Sequence, residues 1–225
     1  MKINKIKRCI DVVLTLVLLF LMAYQVTGDI LHEWIGIGMT VIVIAHQVLN
    51  RRWYMAIAKG KYKPYRIVMT VIDILLLLCF FTTAFCGMAM SNHAVPFMNG
   101  IIPLIPARQM HLAFSYWSFV LAGIHIGFHL STLISKLKKK SAKIVLLSAS
   151  TVLSVCGFWL FFKSNIFSYM FLTTHFAFLD YNKNPVIVVF ENLIMLLAWA
   201  FAGMITSILL TSNRKRRNTN ENSNS

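Results

Sequence analysis

The sequence predicts an all-α membrane protein, a helical bundle of six transmembrane helices with both termini in the cytoplasm. Three observations predict it. Residues of the AVILMFWYC set make up 58% of the chain against 13% charged, a balance too apolar for a soluble domain of this size. The apolar residues fall in runs of about 20, the length that crosses a hydrocarbon core of about 30 Å. In lipid such runs become helices, because each backbone N–H and C=O must be satisfied within the segment. Finally, the net charge of +15 is unevenly placed: four clusters hold 19 of the 22 Lys and Arg residues. They are Lys2 to Arg8, Arg51 to Arg66, Lys136 to Lys143, and Arg214 to Arg217, separated by pairs of apolar runs. Only Arg108, Lys163 and Lys183 are left for the other side. This is the positive-inside distribution, and it replaces the nucleic-acid reading that a strongly basic chain otherwise invites.

Hydrophobic runs and their breakers place the spans near 9–28, 31–50, 66–90, 107–134, 144–162 and 186–210. The first run, Ile10 to Val26, has full spanning length with no small-residue cleavage site after it, so it reads as a retained signal anchor. The outward connections are Gly28–Asp29–Ile30, the segment from Ser91 to Pro106 with its three prolines, and Lys163 to Asn184. Residues 211–225 are basic, then Asn/Ser-rich, and read as a disordered cytoplasmic tail. Cys9, Cys79, Cys86 and Cys156 lie in or beside apolar runs with no C-x-x-C-H motif, so they read as packing residues and a covalently attached haem is not supported.

Spans 1 and 3 begin alike, Ile10-Asp11-Val12-Val13-Leu14 against Ile72-Asp73-Ile74-Leu75-Leu76. Each is followed by an outward turn and a span with two histidines at one spacing: His32-x13-His46 and His111-x13-His125. We read this as a duplicated helix pair. Fourteen residues of helix rise about 21 Å and return to within about 40° of the same face. His32 should therefore share a level with His111, and His46 with His125. Two imidazoles at one level can supply both axial ligands of a haem iron, so two levels make a stack of two b-type haems. A lone histidine in a span is more often an interhelical hydrogen bond. Four at matched depths, where polar groups are costly, favour ligation. Zinc or a di-iron site is disfavoured, since no Glu-x-x-His pattern accompanies the pairs.

Several neighbours bear on this site, each with a plainer alternative. His129, one helical turn past His125, is an alternative inner ligand. Arg108, one turn before His111, is a candidate partner for haem propionates, or simply an interfacial charge. Asp73, deep in span 3, must pair or be protonated; it is a candidate partner for an inner histidine's ring N–H or a proton site beside a quinone. Asp11 is shallower and points to Arg8. Gly28, Gly36, Gly87 and Gly123 would admit a macrocycle, or serve helix contacts. Trp117 fits between the two levels, or in the core.

These strings resemble a known family. Thr27-Gly28-x3-His32-Glu33-x2-Gly36, His46-x3-Asn50-x2-Trp53, Arg108-x2-His111 and Gly123-Ile124-His125-Ile126-Gly127-Phe128-His129 resemble the bacterial flavinylation-associated cytochrome family over about residues 8–132. The paired H-x13-H helices are also similar to ferric reductase transmembrane domains. The resemblance implies a four-helix haem-binding module in the bacterial cytoplasmic membrane, passing electrons to or from an extracytosolic protein that carries covalent FMN. Residues 1–135 would then be the di-haem module, 136–210 two additional spans, and 211–225 the tail. No G-x-G-x-x-G dinucleotide motif follows a strand, so a flavin or nicotinamide must sit on a partner. The chain reads as an electron-transfer subunit between a cytoplasmic or quinol donor and an outer flavoprotein. The competing reading is a non-redox transporter or assembly scaffold whose histidines relay protons or pack.

Overall fold

A computed structural model describes residues 2–60, 62–174 and 177–223, with side chains for 3–60, 62–174 and 177–212. Every regular element among the described residues is helical: α1 (Lys2–Met22), α2 (Tyr24–Leu49), α3 (Arg52–Ile57), α4 (Pro64–Ala89), a 3-10 turn (Pro96–Met98), α5 (Leu104–Ser135), α6 (Lys140–Lys163), α7 (Ile166–Met170) and α8 (Pro185–Ser223). His175 and the last two residues of the expected disordered tail lie outside the described residues, as do the side chains from residue 213 onward.

The chain is a multi-pass membrane protein by helix length and composition. Among the described residues, five helical segments are long and apolar enough to cross a bilayer: Tyr24–Leu49, Pro64–Ala89, Leu104–Ser135, Lys140–Lys163 and Pro185–Ser212. Large apolar side chains stand exposed along them, Val41 at 61%, Leu78 at 60%, Val152 at 68% and Trp159 at 60%. On a soluble protein such surfaces mark an interface; on spanning helices lipid covers them. α1 is not among the five. Lys5, Lys7, Arg8 and Asp11 occupy its first half, and its apolar remainder ends at Met22, because the chain bends at Ala23 rather than running to residue 28. The turn expected at Gly28 is nevertheless present as a break inside α2, where Gly28 has φ 64° and ψ 179°, a conformation open to glycine and few other residues.

Prolines account for the other boundary differences. α5 begins at Leu104, ahead of Pro106, and α4 and α8 begin on Pro64 and Pro185. A first-turn proline removes an N–H that has no helical partner anyway. Asn184 Oδ1 accepts the Val186 N–H at 2.9 Å and caps α8. The five-residue α7 falls in what reads as a plain connection, yet it buries Ile166, Tyr169 and Met170.

The chain forms two compact units: Met1–Gly60 with Leu78–Ser118 and Ser164–Leu193, and Lys61–Leu77 with Phe119–Lys163 and Ile194–Ser225. In the first, α1 packs along α2, and Trp117 donates its indole N–H to Met170 O at 3.2 Å with its ring edge-on to Phe171. Trp117 is thus a packing residue against α7. Glu191, whose neighbour the sequence leaves open, pairs with Lys183.

The second unit is built on backbone contact. A Cβ on Gly127 would fall 1.9 Å from Ala200 O, one on Gly203 2.3 Å from Ile124 O, and one on Gly157 2.5 Å from Ile194 O. Gly123 belongs to the same seam, its added Cβ meeting Trp199 Cβ at 2.7 Å. That assignment corrects the expectation that Gly123 makes room for a macrocycle. Small residues let helices approach where lipid offers no hydrophobic drive to associate, and Ser131 Oγ and Ser207 Oγ extend the contact with a 2.6 Å hydrogen bond. Gly127→Leu should therefore sharply reduce folded yield in detergent, whereas Gly36→Ala, with nothing within 4 Å of the new carbon, should leave yield and thermal midpoint within a few degrees of the parent. Size-exclusion profiles and thermal unfolding of the two variants check this.

Candidate functional site

The first unit contains a cavity of about 680 Å³ lined by residues of α1, α2, α4 and α5 and by the 91–99 and 177–179 segments. Its polar wall carries His32, His111, Arg108, Asp29 and Glu33 among apolar neighbours. A volume of this size lies within the roughly 300–1,000 Å³ typical of pockets for small molecules and cofactors. His32 on α2 and His111 on α5 come together there, ring centroids 6.0 Å apart and planes inclined at 73°.

Local sequence explains how His111 is held. On α4, Thr83 and Gly87 lie one turn apart on the same face. The Thr83 carbonyl lies 2.9 Å from His111 Nδ1, and a carbonyl can only accept, so Nδ1 carries the proton and Nε2 the lone pair. Gly87 leaves space for the ring itself: a Cβ there would lie 3.1 Å from both Cε1 and Nδ1 of His111. His32 stands edge-on to Tyr24 at 5.0 Å, and Tyr24 in turn donates its hydroxyl to Asp29. The buried His32 Nδ1 has no hydrogen-bond partner in the chain. Such orphaned polar atoms are uncommon in proteins, and this one belongs to a ring on a cavity wall.

Glu33 follows His32 and was not singled out from the sequence as a site residue. Its carboxylate accepts from Ser91 Oγ at 2.7 Å and from the backbone N–H groups of Asn92, His93 and Ala94 at 3.1, 2.8 and 2.9 Å. Ser91 Oγ accepts the Val95 N–H at 2.9 Å. The segment after α4 is thereby fastened to the histidine-bearing helix at the cavity rim. A carboxylate directly beside a site histidine, facing a proline-rich connection whose N–H groups need acceptors, was the available signal.

The other two histidines have acidic partners. His46 Nδ1 lies 3.0 Å from Asp11 Oδ1, so Asp11 pairs with a histidine and not with Arg8 as the sequence indicates. Lys7, one turn earlier on α1, donates to Asn50 Oδ1 at 2.9 Å. Asn50 Nδ2 stands 3.4 Å from His46 Nε2. A carboxylate at Nδ1 and an amide donor near Nε2 select one tautomer, with the proton on Nδ1. In the second unit, His125 Nδ1 lies 2.7 Å from Asp73 Oδ1, with Asp73 15% exposed. His129 is exposed, its ring 4.7 Å from that of His125. The two Asp–His couples repeat the matching Ile-Asp starts of α1 and α4: each of these helices places its aspartate on a histidine of the next long helix.

No protein family, no curated protein and no solved structure matches the chain.

What the arrangement can do chemically follows from its donor set. Three of the four histidines meet an acceptor at Nδ1, which puts the lone pair on Nε2; that of His46 faces the Asn50 amide, so those of His111 and His125 are the ones open to a metal or proton. No group of three or more His, Cys, Asp or Glu side chains gathers around one point among the described residues. Removing the rim carboxylate with Glu33→Ala should raise amide exchange at Asn92, His93 and Ala94 by at least about tenfold, since hydrogen bonds to a charged group contribute roughly 1.5–3 kcal/mol each. Exchange mass spectrometry of the 91–95 peptide reads that change; unchanged protection would remove Glu33 from this role.

Proposed function

We propose that the protein is a b-type cytochrome of the bacterial cytoplasmic membrane, an electron-transfer subunit that holds two haems on histidine pairs. The observation that carries the proposal is the His32–His111 pair on its cavity. An imidazole–metal bond of about 2 Å on each side of one ion, with roughly 1 Å more from nitrogen to ring centre, separates two ring centres by about 6 Å. The observed separation is 6.0 Å. The orphaned nitrogen of His32 and the size of the cavity support the same reading.

Bound there, haem would supply a one-electron carrier. The chain's own residues orient and insulate it. Thr83 fixes the His111 tautomer, Gly36 and Gly87 keep the wall thin, and Arg108, exposed at the cavity margin, is placed to meet acidic substituents with its fork of donors. Glu33 holds the neighbouring segment against the cavity rim. His46, and His125 with His129 as its alternative, are the histidines left for a second haem, and His46 and His125 each carry an Asp on Nδ1.

In this reading α1 is a sixth span, and the basic clusters hold both termini in the cytoplasm. Membership of the flavinylation-associated cytochromes rests on the histidine-centred strings. The partners are then an extracytosolic FMN-carrying protein or other redox acceptor and a cytoplasmic or quinol donor. Asp–His couples are also what a proton relay uses, which keeps a transporter as the second reading.

Purified with haem available, the chain should show a Soret band and about two haems b per chain by pyridine haemochromogen assay. His111→Ala should lower the count to about one. Gly36→Leu should also lower it while folding normally, because Gly36 lines the cavity and a Cβ there meets nothing within 4 Å. A colourless, monodisperse protein would favour the transporter and sink the cytochrome.

A further inference from the structure

The segment that joins α4 to α5 is tied to itself and hydrogen-bonded to the neighbouring helix through one side chain, all within the first unit. Its neck is closed by the Gly100 N–H, which donates to Ala89 O at 3.1 Å. Inside the loop, Asn99 Nδ2 donates to Asn92 Oδ1 at 2.6 Å and the Val95 N–H to Ser91 Oγ at 2.9 Å. Pro96–Met98 wind into the 3-10 turn. Among the described residues, each hydrogen bond from residues 91–100 to a helix other than α4 ends on the Glu33 carboxylate of α2. We propose that residues 91–100 are a hinged strap at the mouth of the His32–His111 cavity, with Glu33 as its single latch, and that the group bound in the cavity enters and leaves when this latch opens. The inference rests on the cytochrome reading for the identity of that group and adds the route by which it exchanges.

The lining residues place the strap at one end of the cavity. Asn92, Ala94, Val95 and Asn99 belong to its wall. From the strap, α5 lines the cavity between Leu104 and Ser118, about 21 Å of helix, so Ser118 marks the far end. Phe97, at the crest of the strap, is 82% exposed and is not packed into the bundle. Gly100 has φ 84°, and a Cβ there would meet nothing within 4 Å. The neck therefore turns at a residue with backbone freedom and no side chain in the way, which suits a hinge.

The fastening is firm but concentrated. Hydrogen bonds to an ionised acceptor are roughly twice as strong as those between neutral groups, and Glu33 accepts four of them. Because all four converge on one carboxylate, its movement frees the strap while the internal ties persist. A segment pinned separately to several helices would have to lose each contact in turn. The other way into the cavity is between spanning helices, and these are held by packing along their length, as α1 is along α2. Packed contacts of that kind resist rearrangement.

The experiment follows haem movement in the purified full-length chain. Hemin uptake is measured on chain produced without haem, and haem loss on the loaded chain by transfer to excess apomyoglobin. The kinetic phase that His111→Ala abolishes belongs to this cavity. Glu33→Gln keeps the shape of the side chain and removes its charge; it should speed both uptake and loss by about tenfold and leave the absorption spectrum of the bound state unchanged. Ser131→Ala, which removes a hydrogen bond in the second unit, should change neither rate and controls for a general loss of stability. Amide exchange adds a readout that needs no haem: in Glu33→Gln the Asn92, His93 and Ala94 amides should exchange faster, while those of Met98 and Asn99, bonded within the turn, keep their protection. Loss that speeds up without uptake, rates that ignore the substitution, or internal amides that lose protection with the rest overturn the strap while the cytochrome stands. A chain that takes up no haem overturns the cytochrome, and the exchange pattern then decides the strap by itself.

Discussion

An imidazole inside a membrane protein has two nitrogens to satisfy and almost no water to do it. That constraint organises the site. Each histidine either finds an acceptor for Nδ1 within reach or leaves it orphaned, and the acceptor decides which nitrogen keeps the lone pair. Asp11, Asp73 and the Thr83 carbonyl make that decision for His46, His125 and His111. The helices that carry these acceptors, α1 and α4, are thereby tied to the helices that carry the histidines.

The packing divides the labour accordingly. In the second unit glycines bring backbones so close that no side chain fits between them, with Gly127 and Gly203 as the tightest points. In the first unit the helices stand apart around a cavity, and polar contacts span the gap: Glu33 to the 91–94 backbone, Tyr24 to Asp29, His111 to Thr83. Dense seams resist rearrangement, whereas a hydrogen-bonded rim can adjust around a bound group. The residues with chemical potential therefore lie around the open part of this unit and along the paired helices, while α6 and the apolar body of α8 supply packing.

Much of this was legible in the sequence because membrane helices obey few rules. Apolar length and the basic clusters locate the long helices, and the identical histidine spacing brings His32 and His111 together without knowledge of any contact. Asp73 was recognisable as a costly charge that must find a partner. Other features were not legible. The partner of Asp11 depends on how α1 turns about its axis, so the nearby Arg8 misled the reading, and Lys7 is the residue that bonds to Asn50 instead. Gly123 and Gly36 look alike in sequence, yet one touches a neighbouring backbone and the other faces open space. The helix at Ile166–Met170 is too short to show a period, and the bend at Ala23 follows no sequence breaker.

The central claim is that His32 and His111 ligate one iron from opposite sides. Electron paramagnetic resonance of the oxidised, purified chain tests it most directly. Two axial imidazoles whose planes are inclined at 73° should give a low-spin ferric signal of the highly anisotropic kind, and His111→Ala should abolish that signal. A spectrum containing only high-spin haem, or a low-spin signal undiminished by loss of His111, would contradict the assignment.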